Sequence, residues 1–161
     1  MQKFSLRFVH LFAVVIISFF GISLLSSCQT EGCTEPMSDN FDPKAKKNDG
    51  SCVPWRDKFA ANYTGINACA GSADEGVSFV IAQSSTTEDG IVVSIPSEGM
   101  LFTAKVDSQN GITIEDQDIS YQGSIISISG SGSLTGKTIT ISYSLTSGPL
   151  TVPCTLTGDQ P

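Results

Sequence analysis

Two carboxylates, Asp116 and Asp118, have a spacing that suggests chemistry. They lie in a run of alternating residues, so the pattern predicts that both share one face of a strand and that Glu115 lies on the other face. Paired carboxylates catalyse glycoside hydrolysis or bind metal ions when they converge in a cleft. A carboxylate-based hydrolase is therefore one hypothesis. The other interpretation is that these acidic residues lie on a solvent-exposed strand and have no catalytic role.

The other groups from which enzymes build active sites are scarce. His10 is the only histidine of the chain, and it lies in an apolar N-terminal segment. Without a histidine beyond that segment, neither a Ser-His-Asp triad nor a Cys-His pair can form, and the commonest metal ligand is missing. The sequence therefore predicts a protein that is not an enzyme and has no metal site or cofactor, apart from the calcium alternative below.

The charge of the chain argues against nucleic acid as a partner. Lys3 and Arg7 lie among the first 27 residues, so seven of the nine basic residues remain to face all sixteen acidic ones. Nucleic-acid phosphates require clustered Lys and Arg, and a net negative surface also argues against electrostatic docking on anionic lipid. We expect a monomer with an acidic surface that binds no nucleic acid.

The N-terminal segment has the parts of a secretory signal. Lys3 and Arg7 precede an apolar run over residues 11–25, which is slightly short for a membrane-spanning helix of about 20 residues. The run ends in Leu25-Ser26-Ser27-Cys28, which resembles the lipobox of bacterial lipoproteins. In that family the cysteine thiol receives a diacylglyceryl group, and the chain is cleaved just before it.

This resemblance implies a signal peptide over residues 1–27 and lipidation at Cys28. Each buried methylene of an acyl chain such as palmitate contributes about 0.8 kcal/mol, so two or three chains anchor a protein durably. The resemblance therefore implies a lipid-anchored protein of the cell envelope, in the outer membrane, on the periplasmic or the cell-surface side. Contact with the membrane would then run through the lipid anchor only.

Four cysteines remain for disulfides once Cys28 is lipidated. They are Cys33, Cys52, Cys69 and Cys154. Four cysteines in an exported chain indicate two disulfides, for which three pairings are open. Zinc is not indicated, because the Cys-x2-Cys spacing of zinc sites is missing.

Residues 32–52 differ in composition from the rest of the chain. They resemble a short Cys-flanked module of secreted Bacteroidota proteins, roughly G-C-T-D/E-P…N-Y/F-x-P-x-A…D-G-S-C. The matching residues are Gly32, Cys33, Thr34, Pro36, Asn40, Phe41, Pro43, Ala45, Asp49, Gly50, Ser51 and Cys52. The resemblance implies a Cys33–Cys52 disulfide, which leaves Cys69 to pair with Cys154.

Calcium is an alternative for this module. An EF-hand loop needs acids or amides at alternate positions before its glycine, and here Ala45 and Lys47 occupy those positions, so the EF-hand pattern fails. Five side chains with oxygen atoms remain for another arrangement: Asp39, Asn40, Asp42, Asn48 and Asp49. The other interpretation is a disulfide-bonded turn with polar residues facing solvent.

From Trp55 onward the sequence alternates apolar and polar residues between turn signals, which predicts about eight short antiparallel strands. The fold class is all-β, with a small closed barrel as the first prediction and a two-sheet sandwich as the alternative. Asn110 and Gly111 are the strongest hairpin signal, because both residues tolerate positive φ. Gly130-Ser131-Gly132 predicts a strand with a bulge. A transmembrane barrel is excluded because the outward positions are polar and aromatic girdles are missing.

Residues 55–161 resemble small lipocalin-like barrels of Bacteroidota lipoproteins. The resemblance rests on Trp55, Phe59, Tyr63-Thr64-Gly65, Cys69, the Gly/Ser-rich stretch 128–136 and Cys154, although the Gly-x-Trp element of lipocalins is missing. The predicted organisation is a signal peptide (1–27), a lipidated linker with the disulfide-bonded module (28–54) and a barrel domain (55–161).

The functional hypothesis is a non-catalytic module that binds a small apolar molecule, a glycan or a protein partner. The candidate ligand-lining residues are Tyr63, Phe79, Phe102 and Tyr143, which alternation places on inward faces of the predicted strands. The alternative is a structural or interaction domain in which these aromatic side chains fill a packed core. A cavity of about 300 Å3 or more would favour ligand binding.

Overall fold

The structure is a computed structural model that describes residues 29–161. The predicted signal peptide and the predicted lipidation site Cys28 lie outside the described residues. Two short strands, β1 (Glu31–Gly32) and β2 (Lys47–Asn48), pair in parallel near the start. A turn of 3-10 helix, Trp55–Lys58, leads into eight long strands: β3 (Ala61–Cys69), β4 (Glu75–Gln83), β5 (Gly90–Ile95), β6 (Met100–Ser108), β7 (Gly111–Tyr121), β8 (Ser124–Thr135), β9 (Thr138–Ser147) and β10 (Leu150–Asp159).

The eight long strands form a closed antiparallel barrel. Each strand pairs with its neighbours in the chain, and β10 pairs with β3 to close the sheet. Closure leaves no exposed sheet edge, which is the part of a β-sheet most prone to pairing with other chains. The prediction of an all-β fold with an eight-stranded barrel is confirmed, and the sandwich alternative is wrong.

The alternation of apolar and polar residues in the sequence corresponds to the inward and outward faces of the barrel strands. In β6, for example, Met100, Phe102, Ala104 and Val106 are buried and the residues between them are exposed. Successive side chains of a strand point to opposite faces, so one face of every strand fills the interior. The interior is one continuous apolar core to which all eight strands contribute.

The two ends of the barrel differ. At one end, called the module end, lie the 3-10 turn, the links 84–89, 109–110 and 136–137, and the N-terminal segment 29–54. Phe59 follows the 3-10 turn and is fully buried in the core. At the opposite end, called the loop end, lie the links 70–74, 96–99, 122–123 and 148–149. No helix within residues 29–161 has the length and apolar character needed to cross a bilayer.

Both disulfides implied by the module resemblance are present. Cys33 is bonded to Cys52, with Cα atoms 4.8 Å apart, and Cys69 is bonded to Cys154, with Cα atoms 4.0 Å apart. Cys69 and Cys154 face each other in the register of β3 and β10. The second disulfide therefore joins the first and last strands of the barrel where the sheet closes.

The hairpin predicted at Asn110 and Gly111 is present, but the positive φ given as its reason is not. A turn connects β6 to β7 at Asn110, and neither Asn110 nor Gly111 has positive φ. The hairpin with positive φ at both central residues is the link of β7 to β8, where Gln122 has φ 51° and Gly123 has φ 80°.

The bulge was predicted on the wrong strand. The register shift lies in β7 between Ile114 and Gln117, opposite the run around Gly130 in β8. Gly130 allows close packing instead, since a Cβ there would lie 2.7 Å from the Cα of Tyr143. The glycines of β8 therefore make room for the neighbouring strand β9. The extra residue of the bulge belongs to β7.

Candidate functional site

The four candidate ligand-lining residues meet in the barrel interior. Tyr63, Phe79, Phe102 and Tyr143 are each at most 3% exposed. The rings of Tyr63 and Phe79 stack at 5.0 Å, and the rings of Phe102 and Tyr143 lie 6.1 Å apart. The three surface pockets described below are lined by other residues.

The surroundings of these rings are those of a packed core. A Cβ at Gly158 of β10 would lie 2.5 Å from the ring of Phe79 and 3.3 Å from the Cβ of Tyr63, so this ring pair rests directly on the barrel wall. The Tyr63 hydroxyl donates to the carbonyl of Phe59 at 2.9 Å and accepts from Gln160 at 2.8 Å. The polar tip of Tyr63 is thus bonded to the protein itself.

A buried polar contact connects the core to the loop end. The Tyr143 hydroxyl donates to Asn67 Oδ1 at 3.0 Å, and Asn67 Nδ2 donates to Glu98 at 2.8 Å. Burial raises the pKa of the Tyr143 phenol to about 12, although the hydrogen bond with Asn67 acts in the opposite direction. Burial also raises the pKa of Tyr63. Both phenols stay neutral and serve as hydrogen-bonding groups of the core.

The largest of the three pockets lies where the N-terminal module meets the barrel. This module–barrel groove has a volume of about 400 Å3. Its lining residues are Glu35, Pro36, Met37, Pro54, Trp55, Arg56, Glu88, Asp89 and Val106. Trp55 is half-buried, and Met37 is 38% exposed. The floor is therefore aromatic and aliphatic, and carboxylates stand at its rim.

Backbone hydrogen bonds fix the two N-terminal segments that line the groove, around Met37 and around Trp55, relative to each other. The Trp55 N–H donates to the carbonyl of Met37 at 2.9 Å, and the Asp39 N–H donates to the carbonyl of Val53 at 2.9 Å. The Cys33–Cys52 disulfide ties together the two segments that bear Met37 and Trp55. The groove is thus formed before any ligand arrives, which lowers the entropic cost of binding.

Acidic groups outnumber basic groups at the rim of the groove. Asp89 pairs with Lys105 at 3.1 Å, and Arg56 donates to the carbonyl of Thr87 at 2.8 Å. Glu35 accepts from Asn48 at 3.2 Å. Among residues 29–161, the carboxylate of Glu88 has no hydrogen-bond or ion-pair partner. Three carboxylates and one guanidinium leave a net negative rim above an apolar floor.

Two other pockets are smaller. One, of about 320 Å3, lies on the outer wall over β5, β6 and β7 and is lined largely by Ser and Thr together with Glu115 and Gln117. The other, of about 250 Å3, lies at the loop end and includes Asn67, Glu75 and Glu98.

The carboxylates Asp116 and Asp118 do not form a cleft. Asp116 and Asp118 are exposed, and both accept from the hydroxyl of Ser127, at 2.8 and 3.4 Å. Glu115 is exposed and lines the wall pocket. No pocket described here includes Asp116 or Asp118, so the convergence that a carboxylate-based hydrolase requires is not found among the described pockets.

The calcium candidates are used in turns of the module. Asp42, Asn48 and Asp49 each accept from the backbone N–H two residues later, at 2.8 to 2.9 Å. Asn40 accepts from the Val53 N–H at 2.9 Å, and Asp39 accepts from Lys58 at 2.9 Å, which holds the pKa of Asp39 below its usual value. Within the described residues, no cluster of three or more His, Cys, Asp or Glu side chains is arranged to hold a metal ion.

Sequence reasoning identified Trp55 but not the groove around it. Glu35, Met37 and Pro54 fall on one side of the predicted boundary between residues 54 and 55, and Glu88 and Val106 fall on the other. The one signal that the sequence offers for this place is Trp55 itself, the only tryptophan of the chain.

Comparisons with known proteins add one structural similarity. No protein-family model matches the chain, and no curated protein matches it. A solved structure described as "Structure of EF1p2_mFAP2b bound to DFHBI" aligns with 65% of this chain and 95% of that one, at 13% identity and a TM-score of 0.48. The barrel assignment rests on the strand pairing of this chain itself.

Proposed function

We propose that this protein is a lipid-anchored, non-catalytic binding protein of the cell envelope whose ligand occupies the module–barrel groove. The observation that carries the proposal is the groove itself, with about 400 Å3 over an apolar floor that contains Trp55. Small-molecule sites measure about 300 to 1,000 Å3 and combine an apolar lining with a few polar groups. The loop-end pocket is smaller, and the wall pocket has no aromatic lining residue.

The rim favours a ligand with a positive charge. Glu88 is exposed, lacks a partner among residues 29–161, and stands with Glu35 and Asp89 beside Trp55. A cation beside carboxylates and an aromatic face gains electrostatic energy that an anion does not. The proposed ligand is therefore a compact apolar molecule that bears one basic group. The lipobox resemblance at Cys28 supports the anchor and the outer-membrane location.

Intrinsic fluorescence tests this proposal directly, because Trp55 is the only tryptophan of the chain. The mature lipoprotein is titrated with dodecylammonium and with dodecanoate, two probes with similar tails and opposite charges. We expect dodecylammonium to change the Trp55 emission at about tenfold lower concentration, which corresponds to ~1.4 kcal/mol. The variant Glu88→Gln should reduce this difference.

A matched pair of variants locates the binding site. Met37→Asn places a polar group on the groove floor, whereas Leu101→Asn makes the same kind of change on the outer wall, where Leu101 is 59% exposed. Binding should weaken in the first variant and persist in the second. Equal affinities in both variants would show that the groove is not the site.

A structural or interaction domain with a packed core is the second candidate. The close packing of Phe79 on Gly158 favours it, since the barrel interior has no free room at that point. This candidate predicts that neither probe changes the Trp55 emission at any concentration below micelle formation.

A further inference from the structure

The ammonium groups of Lys44 and Lys46 stand apart from the other basic side chains of the described chain. Elsewhere each basic side chain has a protein partner: Lys47 with Glu31, Arg56 with Thr87, Lys58 with Asp39, Lys105 with Asp89 and Lys137 with the Pro161 carbonyl. Lys44 and Lys46 are exposed, and within residues 29–161 their ammonium groups have no hydrogen-bond or ion-pair partner.

These lysines lie beside the point where the described chain begins. The Lys46 N–H donates to the carbonyl of Thr30 at 2.8 Å, and Lys47 is opposite Glu31 in the register of β1 and β2. A Cβ at Gly32 would lie 3.3 Å from the Cβ of Ala45, so the two segments approach closely at this point. The lysine segment is therefore held against residues 30–32.

The length of chain before these residues limits how far a lipid anchor can be. Three peptide units separate Cys28 from Glu31, which is at most about 11 Å of extended chain. An acylated Cys28 lies at the bilayer surface, so Lys44, Lys46 and Lys47, called the lysine face, come within reach of the lipid headgroups.

We propose that the lysine face binds anionic phospholipid headgroups and holds the module end of the barrel against the membrane. The proposal rests on the lipid anchor of the proposed function. A lysine near an anionic bilayer strengthens binding by about 1 kcal/mol, roughly fivefold. The net negative charge of the chain argued against such contact, but the structure holds the two lysines, which have no ion pairs, against residues 30–32, a short stretch of chain after Cys28.

Carboxylates also lie near the lysine face and keep their negative charge, so the contact depends on the exposed ammonium groups of Lys44 and Lys46 and not on the net charge of the module. Glu31 is paired with Lys47, and Asp42 and Asp49 accept backbone hydrogen bonds within the module. The loop end, at the opposite side of the barrel, carries Asp74, Glu75 and Glu98 and no basic residue in its links. An anionic surface repels these carboxylates, which also favours the orientation in which the module end lies against the membrane.

Amine labelling of the full mature lipoprotein in vesicles tests the contact. The protein is reconstituted in phosphatidylcholine alone or with phosphatidylglycerol added, treated with a membrane-impermeant acylating reagent, and analysed by peptide mass spectrometry. The ratio of Lys46 to Lys105 labelling corrects for protein orientation, because both lysines belong to one molecule and Lys105 lies on the outer wall of β6. We expect phosphatidylglycerol to lower this ratio by about fivefold and added NaCl to restore it.

Matched variants test the lysine-face contact, and mass analysis of the N-terminal peptide tests the lipid anchor. In Lys44→Glu/Lys46→Glu, Lys47 labelling should become insensitive to phosphatidylglycerol, whereas in Lys105→Gln it should stay sensitive. An equal Lys46 to Lys105 ratio in both vesicle types, with acylated Cys28 detected, would overturn the lysine-face contact alone. Absence of acyl groups from the N-terminal peptide would overturn the anchor and, with it, this inference.

Discussion

Tyr143 couples the stability of the barrel to alkaline pH. Its phenol has a pKa of about 12 in the folded protein, against about 10 in an unfolded chain. Between these values the folded state keeps a proton that the unfolded state has lost, so the free energy of unfolding falls as pH rises from about 10 to about 12. We expect a loss on the order of 2 kcal/mol, measured by urea denaturation across this range.

The variant Tyr143→Phe is the control for this pH dependence. It should reduce the loss of stability above pH 10, leaving the smaller contributions of Tyr63 and Tyr121, whose pKa values are also raised. At neutral pH it should cost about 1 to 3 kcal/mol, because Asn67 Oδ1 loses its buried donor. An alkaline loss of the same size in the variant would mean that Tyr143 is not its source.

Gly158 distinguishes a filled barrel from a hollow one. Gly158→Ala places a methyl group 2.5 Å from the Phe79 ring, which is itself stacked on Tyr63. In a filled core the ring has nowhere to move, and overpacking of this kind costs about 1 to 3 kcal/mol. Thermal and urea unfolding of the variant measure that cost.

The matched control for Gly158 is Gly76 in β4. A Cβ at Gly76 would meet no atom within 4 Å, and its backbone does not have positive φ. Gly76→Ala should therefore change stability by less than about 0.5 kcal/mol. If Gly158→Ala were equally neutral, the Phe79 ring would have free space beside it, and a ligand in the barrel interior would become the better hypothesis.

At the scale of elements, the two disulfides should differ in their contribution to stability. Cys69–Cys154 closes a loop of 85 residues and joins β3 to β10, whereas Cys33–Cys52 spans 19 residues of the module. The chain-entropy model gives about 4.5 kcal/mol for the longer loop and about 3 kcal/mol for the shorter one. We expect the double variant Cys69→Ala/Cys154→Ala to lower the urea midpoint of barrel unfolding.

The corresponding variant Cys33→Ala/Cys52→Ala separates the module from the barrel. Because the eight strands pair without any module residue, it should leave the far-ultraviolet circular dichroism of the barrel intact. Its main effect should be loss of probe binding in the module–barrel groove. A barrel that unfolds in this variant would contradict the separation of the two parts.

Alternation predicted the strands, but it could not predict their irregularities. Period two is imposed by the pleat, so residues such as Phe102 and Ala104 indicated an inward face without knowledge of their neighbours. The bulge in β7 is a shift of its register against β8, and beside it β7 contacts its other neighbour, β6, through a side chain. Gln117 accepts from the Thr103 N–H at 2.9 Å and donates to the Thr103 carbonyl at 2.7 Å, in place of backbone pairing. Such a contact leaves no periodic signal.

At the scale of the whole molecule, the groove could not be predicted from the sequence, because it too depends on contacts between distant segments. Its residues come from three separate stretches, around Met37, Trp55 and Glu88. Each stretch reads alone as a turn or a loop, and only the docking of the module on the barrel brings the side chains together. The aromatic residues of the core were predictable as inward-facing, but whether they surround a cavity depends on how closely Gly158 and Gly130 let the walls approach.

The distribution of charge along the barrel axis makes stability depend on salt. The basic residues among 29–161 lie in the N-terminal module, the 3-10 turn or the module-end part of the barrel, and the loop-end links carry only acids. The negative field there is visible at Tyr121, whose pKa is raised first by burial and then by Glu98 and Glu75. Self-repulsion of this kind destabilises the compact state.

Screening should relieve that repulsion. The Debye length falls from about 30 Å at 0.01 M salt to about 8 Å at 0.15 M. We expect the melting temperature to rise over this range, by about 4 °C for each kcal/mol of repulsion removed. The variant Asp74→Asn/Glu75→Gln should melt higher at low salt and respond less to NaCl, whereas Lys137→Gln, which adds net negative charge at the module end, should keep the full response. A melting temperature independent of salt in all three proteins would show that the acidic loop end carries no repulsion of consequence.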